Sequence, residues 1–211
     1  MDPDTFFMAV TAIAAAAGGV AQYFAERADG RVTSETYDRV VATAELWDEL
    51  TALLKRVRAP PLEPQRAFVA RVHTSPPVGG GVLAQLEMHV VAERTVDDHP
   101  SLLSSWQSLP LEPSYVQTIV EPCVRRGNAL VAARDLTSAT MIADVYDTYS
   151  IAATIAWLLA VDDEHSDVWL MVLHFSNPPH LTLSPQLRYV LRQYAHRIRT
   201  ALSLPTPVSS E

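Results

Sequence analysis

The groups in this chain with the chemistry for catalysis or ligation are few: seven histidines, one cysteine and scattered carboxylates among 211 residues. Catalysis needs an activated nucleophile, a poised acid and base, or a metal, each with neighbours at recognisable spacing. The chain holds no G-x-S-x-G, no phosphate-binding G-x-x-x-x-G-K-[ST], no H-E-x-x-H and no G-x-G-x-x-G. Asp97-Asp98-His99 and Asp162-Asp163-Glu164-His165 gather oxygen and nitrogen ligands of the kind cations take. Both are acidic turns between apolar runs, where solvated charge is the ordinary explanation, and the remaining ligands are missing nearby. His89 and His174 fall in apolar alternating stretches and could meet across a sheet, though exposed or satisfied histidines are commoner than ligand pairs. Cys123 stands alone, which excludes an internal disulfide and a Cys-rich zinc site. With no low-pKa neighbours evident, it reads as a small core residue on a helix rather than a redox thiol. Gly79-Gly80-Gly81 has no helix N-terminus after it, so it is a turn and not a phosphate loop. The expectation is a protein without catalytic residues, metal or cofactor.

The elements that must position these groups follow from composition and pattern. Hydrophobic residues are 48% and charged residues 19%, as in an ordinary folded protein, and the length suits one domain plus an appendage. The net charge of −8 opposes nucleic-acid binding. Phe6 to Ala21 carries no charge, and the stretch 6–25 has the length of a membrane span, but its middle is alanine and glycine. A membrane anchor and a buried or self-associating helix both remain open. The acidic start, Asp2 and Asp4, does not fit a secretory signal. If the segment spans, Arg27 and Arg31 place the following domain in the cytoplasm, on the inner face of the membrane.

Ser34 to Arg58 has apolar residues every three or four positions and predicts a helix, stopped at Pro60-Pro61. Ala67 to His73 and Val82 to Glu93 alternate and predict a hairpin, with Met88, Val90 and Ala92 on one face and His89 and Glu93 on the other. Asp97 to Pro113 reads as a loop. Ser114 to Gly127 reads as a helix with a terminal glycine, Ala129 to Ala133 as a strand, and Thr137 to Tyr146 as a short helix. Ile151 to Val161 and Val168 to Phe175 read as strands. Ser184-Pro185 opens the last helix, from Leu187 to Leu202. Three segments result: an apolar helix over 1–30, one domain over 34–203 and a tail over 204–211. The element order predicts an α+β fold, an antiparallel sheet with the terminal helices packed on one face.

That order, and three stretches within it, resemble the GAF domain. The stretches are Gly127-Asn128-Ala129-Leu130-Val131-Ala132-Ala133-Arg134-Asp135, Ile151-Ala152-Ala153-Thr154-Ile155-Ala156, and Trp169 to Phe175 followed by Leu183-Ser184-Pro185. The resemblance covers about Ser34 to Leu202. It departs from the family where Val168-Trp169 replaces a glycine pair, where no bilin-binding motif surrounds Cys123, and in lacking a following catalytic segment. The resemblance implies a sensory or regulatory module that binds a small molecule or a protein partner, dimerised through its terminal helices. It implies a pocket on the sheet face opposite those helices, lined by Arg134, Asp135, Asp144, Tyr146, Tyr149 and Thr154. A ligand-free structural or interaction scaffold on the same fold is the alternative.

Overall fold

Period-two alternation builds the centre of the molecule, a six-stranded antiparallel sheet in the order β3-β2-β1-β6-β5-β4. The computed structural model describes residues 34–58, 62–75, 85–96, 99–103, 105–136, 140–162, 166–176 and 182–205. The apolar stretch 6–25, the stop at Pro60-Pro61, the glycine turn, Asp97-Asp98 and Asp163-Glu164-His165 lie outside the described residues, as does most of the tail. The strands are β1 (Arg66–Ser75), β2 (Gln85–Thr95), β3 (Leu109–Pro110), β4 (Asn128–Ala132), β5 (Ala153–Asp162) and β6 (Asp167–Phe175). The chain divides between Leu50 and Thr51 into two compact units. Helix α1 (Ser34–Val57) accounts for the described part of the first, and its last turns open the second.

Cross-strand register defines the two faces. Phe68, Ala70 and Val72 of β1 lie beside Val172, Leu170 and Val168 of β6, and their face is called inner below. Two helices cover it. Pro113–Tyr115, Val116–Val120 and Glu121–Arg126 run on as one helix, α2, with a wide π turn in its middle. Pro122 explains that turn: it has no amide hydrogen to give back along the helix, and the wider turn before it absorbs the mismatch, Glu121 N bonding to Val116 O. Helix α3 (Met141–Thr148) is capped by Thr140, whose side chain accepts from Ala143 N. Together they bury Tyr115, Ile119, Ile142 and Tyr146 against the inner face.

The outer face carries Ala67, Val69, Met171, Leu173 and Ile155, all buried. Helix α4 (Pro185–Ala201) packs over β5 with Leu191, Ala195 and Ile198 buried, and Ser184 caps it by accepting from Leu187 N at 3.2 Å. Tyr194 Oη donates to Arg56 O at 3.2 Å, tying the last turn of α1 to α4.

Three observations differ from the sequence reading. β1 starts at Arg66, so that residue belongs to the sheet. Within the loop preceding α2, Leu109–Pro110 adds a short edge strand to β2. Most consequential is the register: Val69 pairs with Ala92 but Ala70 pairs with Val90, which leaves Val91 without a partner. This β-bulge reverses the alternation, and Glu93, opposite Phe68, points to the inner face instead of away from it.

Gly127 ends α2 as the sequence predicts, at φ 78° with its amide on Cys123 O. An added Cβ there meets no atom of the described residues within 4 Å. Gly127→Ala therefore costs only the left-handed backbone strain, about 1 kcal/mol in urea unfolding. A loss above about 3 kcal/mol would show a crowded site instead.

Candidate functional site

Three strands each place one polar side chain on the inner face near the ends of β1 and β6. Arg66 lies opposite His174 of β6, and Glu93 is brought in by the bulge. None is exposed: Arg66 is 0% accessible, the Glu93 side chain 3% and His174 2%. Arg66 Nε lies 3.0 Å from Glu93 Oε1, and Nη2 donates to Pro100 O at 2.6 Å. The guanidinium sits over the Tyr149 ring, 5.4 Å from its centroid. Burial lowers the Arg66 pKa, opposed by the charge on Glu93, and an arginine keeps its proton across the folding range. Such a pair stabilises little in net terms, but removing one partner strands the other charge in the interior.

Glu93 also organises the chain above it. Its carboxylate accepts from Leu102 N at 2.9 Å, Leu103 N at 3.2 Å and Ser101 Oγ at 2.6 Å. That fixes the turn leading to Trp106, whose ring meets Phe68 and Tyr149 edge-on at 6.0 and 5.6 Å. His174 packs edge-on against Phe68 at 5.0 Å. Burial first, and the neighbouring Arg66 charge second, hold His174 well below the usual histidine range. Its ring is neutral at pH 7. Arg66 Nη1 approaches Nδ1 at 3.4 Å, and since a guanidinium can only donate, the ring proton belongs on Nε2.

The next strand continues the polar line. Thr154 of β5 is the cross-strand neighbour of His174, and it is buried, as is Tyr146 of α3 beside it. Tyr146 Oη lies beside Thr154 Oγ1, but neither hydroxyl reaches good hydrogen-bonding geometry with the other or with any further partner among the described residues. Burial drives the Tyr146 hydroxyl above its ordinary pKa, only partly offset by Thr154. Each unpaired buried hydroxyl costs about 1–3 kcal/mol. Gln65 adds a third such atom, Oε1, while its amide donates to Ser150 O.

Of the six residues expected to line a pocket, three gather around this line. Tyr146 and Thr154 are buried in it, and Tyr149 is half-buried between Arg66, Trp106 and Ser105 Oγ, the last at 3.3 Å. Arg134 and Asp135 face solvent on a short 3₁₀ turn after β4, 3.8 Å apart, and Asp144 is exposed on α3. Arg66 and Glu93 were missing from the expected set. An arginine immediately before Ala67-Phe68-Val69 was a signal that some acid must be found for it; the bulge that supplies the acid leaves no mark in the sequence. His89 and His174 do not meet across the sheet, because β1 separates them and they face opposite sides of it. Cys123 is buried, and burial pushes its thiol up to about 12, which leaves it unreactive at neutral pH.

The inner face is filled by Trp106, Tyr115, Ile119, Ile142 and Tyr146, with Trp106 and Tyr146 at the polar line. A separate open cleft of about 600 Å³ lies at the other end of the sheet, between the start of β2 (Gln85, Leu86) and α2 (Val116, Gln117, Glu121).

Solved structures similar to this arrangement include GAF domains. The GAF domain region of a protein from Geobacter sulfurreducens PCA matches with TM-score 0.53 at 14% identity, covering 79% of this chain and 98% of that one. A far-red cyanobacteriochrome photoreceptor matches with TM-score 0.54 at 12% identity, over 80% and 92% of the two chains. The phycocyanobilin-bound GAF domain of a cyanobacterial phytochrome matches with TM-score 0.50 at 17% identity, over 79% and 89%. No protein-family model matches the sequence, and no curated protein does. The likeness at these identities is one of fold, and the fold is that of the GAF domain, as the element order implies.

The neutral His174 makes a pH prediction. The unfolded chain takes up a proton as pH falls through about 6.5, while the native ring stays neutral to much lower pH. Stability from this residue is constant above that pH and falls below it, by up to about 1.4 kcal/mol per pH unit. In urea unfolding between about pH 6.5 and 5, His174→Gln should show a shallower fall than the parent. Equal slopes would mean that the ring is protonated in the native state.

Proposed function

We propose that this chain is a non-enzymatic sensory or regulatory module on the GAF fold, taking a small hydrogen-bonding ligand at the inner face beside Tyr146, Thr154 and Tyr149. The observation that carries this reading is the neighbouring pair of buried hydroxyls on Tyr146 and Thr154, which among the described residues have at best each other and reach no partner in good geometry. Interiors retain such groups at a cost to stability, and a bound polar molecule is one way to recover it. Arg134, Asp135 and Asp144, exposed on the adjoining turn and helix, are assigned to the ligand's approach rather than its final contacts. The packing of Trp106, Tyr115 and Ile119 argues for a small molecule rather than a tetrapyrrole such as the phycocyanobilin of one fold neighbour. The unreactive Cys123 speaks against covalent attachment.

The same packing favours a second reading, a ligand-free interaction scaffold. Removing the hydroxyls separates the two. With a site for a polar ligand, Thr154→Val and Tyr146→Phe each raise the stability of the free protein by about 1 kcal/mol and abolish the thermal shift given by small hydrogen-bonding fragments. If both variants lose stability and no fragment shifts the parent, the scaffold reading stands.

Partner binding in this proposal runs through the terminal helices. Exposed Glu45, Asp48 and Glu49 give α1 an acidic side, while α4 carries exposed Arg188, Arg192 and Arg197 and no acid. Two copies can pair acid on base. Light scattering should find a dimer at low salt that dissociates in Arg188→Glu/Arg192→Glu, since charge reversal replaces attraction by repulsion. A mass unchanged by the substitutions would remove the helices from the interface. Among the described residues no helix is long and apolar enough to cross a membrane. A tether to the inner face of a membrane rests on the stretch 6–25 alone.

A further inference from the structure

The β1–β2 hairpin gathers a second polar cluster, on the outer face and at the opposite end from Arg66. His73 stands directly across from Glu87, and His89, two residues along β2, stands across from Arg71. Residues two apart on a strand share a face, and the cross-strand neighbour of the first closes a triangle. One ligand atom each from His73, Glu87 and His89 lies within 4.8 Å of the other two. The two imidazoles are 4.7 Å apart between centroids, tilted by 37°.

The fold leaves these groups under-used. His73 Nδ1 is shielded from solvent without a hydrogen-bond partner among the described residues. His89 lies beside Gln107 and makes long contacts to Ser108, 3.3 Å from its amide to Nδ1 and 3.4 Å from its hydroxyl to Nε2. Ser75 Oγ donates to Glu87 Oε1 at 2.8 Å and orients the carboxylate, as an outer partner of a metal ligand does. All three side chains are half-buried, so water can reach an open position. Arg71, the adjacent cation, is paired with Asp167 at 2.8 Å.

We propose that His73, Glu87 and His89 form a binding site for a divalent transition-metal ion of the zinc type, with water in the fourth position. Two imidazoles and one carboxylate suit such an ion, whereas calcium and magnesium take mostly or wholly oxygen ligands. Metal–ligand bonds of about 2.0–2.2 Å bring tetrahedral ligands roughly 3.4 Å apart, so the side chains need to close by no more than about 1.4 Å, within rotamer adjustment. The site is independent of the inner face and of any ligand there.

The test is a calorimetric titration of the untagged full chain with Zn²⁺, beside His73→Ala, His89→Ala and Glu87→Gln, with circular dichroism to show that each is folded. The proposal predicts one ion per chain, affinity at least tenfold weaker in each variant, and a tetrahedral Co²⁺ absorption spectrum in the parent only. Protection of His73 and His89 from diethyl pyrocarbonate by Zn²⁺, read by mass spectrometry on the parent, needs no variant. Absence of one-to-one binding, affinity unchanged across the three variants, or protection of other histidines instead would overturn it.

Discussion

One unpaired residue, Val91, sets the interior of this domain. Without the bulge it makes, strict alternation would point Glu93 at the outer face, and Arg66 would lie in the interior with no acid to meet it. A buried guanidinium with no counter-charge is among the most costly arrangements a core can hold. The bulge resolves that, and the carboxylate it delivers then does more than neutralise. By taking the amides of Leu102 and Leu103, it fixes the turn that sends Trp106 down onto Phe68, His174 and Tyr149. The aromatic lid over this end of the sheet therefore depends on a single shift of register in β2.

The inner face is divided as a consequence. Toward Met88, Val90 and Leu170 it is apolar and closed by α2. Toward Arg66 it carries a line of polar groups running from Glu93 across His174 to Thr154, under α3 and Trp106. A domain under selection for stability alone would have filled that line with aliphatic side chains. The poorly satisfied hydroxyls at Tyr146 and Thr154 are the feature on which the proposal of a small polar guest rests. The fold supplies the frame for this reading, and the side chains supply the chemistry.

Much of the frame was legible in the residues. Gly127, Ser184-Pro185 and the long alternations of β5 and β6 are local signals, decided by the backbone preferences of a few neighbours, and they hold in the structure. Thr154 and Tyr146 were legible as polar side chains set in apolar elements of a GAF-like order. What stayed hidden depends on pairing between distant strands. The bulge at Val91, the short β3, the partnership of Arg66 and Glu93 and the nearness of His73 to His89 are facts of register, which no single segment encodes. Arg134, Asp135 and Asp144 illustrate the converse. Their order along the chain matches the family, yet a 3₁₀ turn and the solvent side of an amphipathic helix turn them outward.

The dependence of the interior on the Arg66–Glu93 pair is open to direct measurement by a double-mutant cycle in urea. Arg66→Met and Glu93→Gln alone should each cost about 3–5 kcal/mol, because each strands a buried polar group. Together they should cost far less than the sum, leaving a coupling energy of at least about 2 kcal/mol. Additive losses, with coupling under about 0.5 kcal/mol, would mean that the two charges do not meet in the interior and that the register placing Glu93 there is wrong.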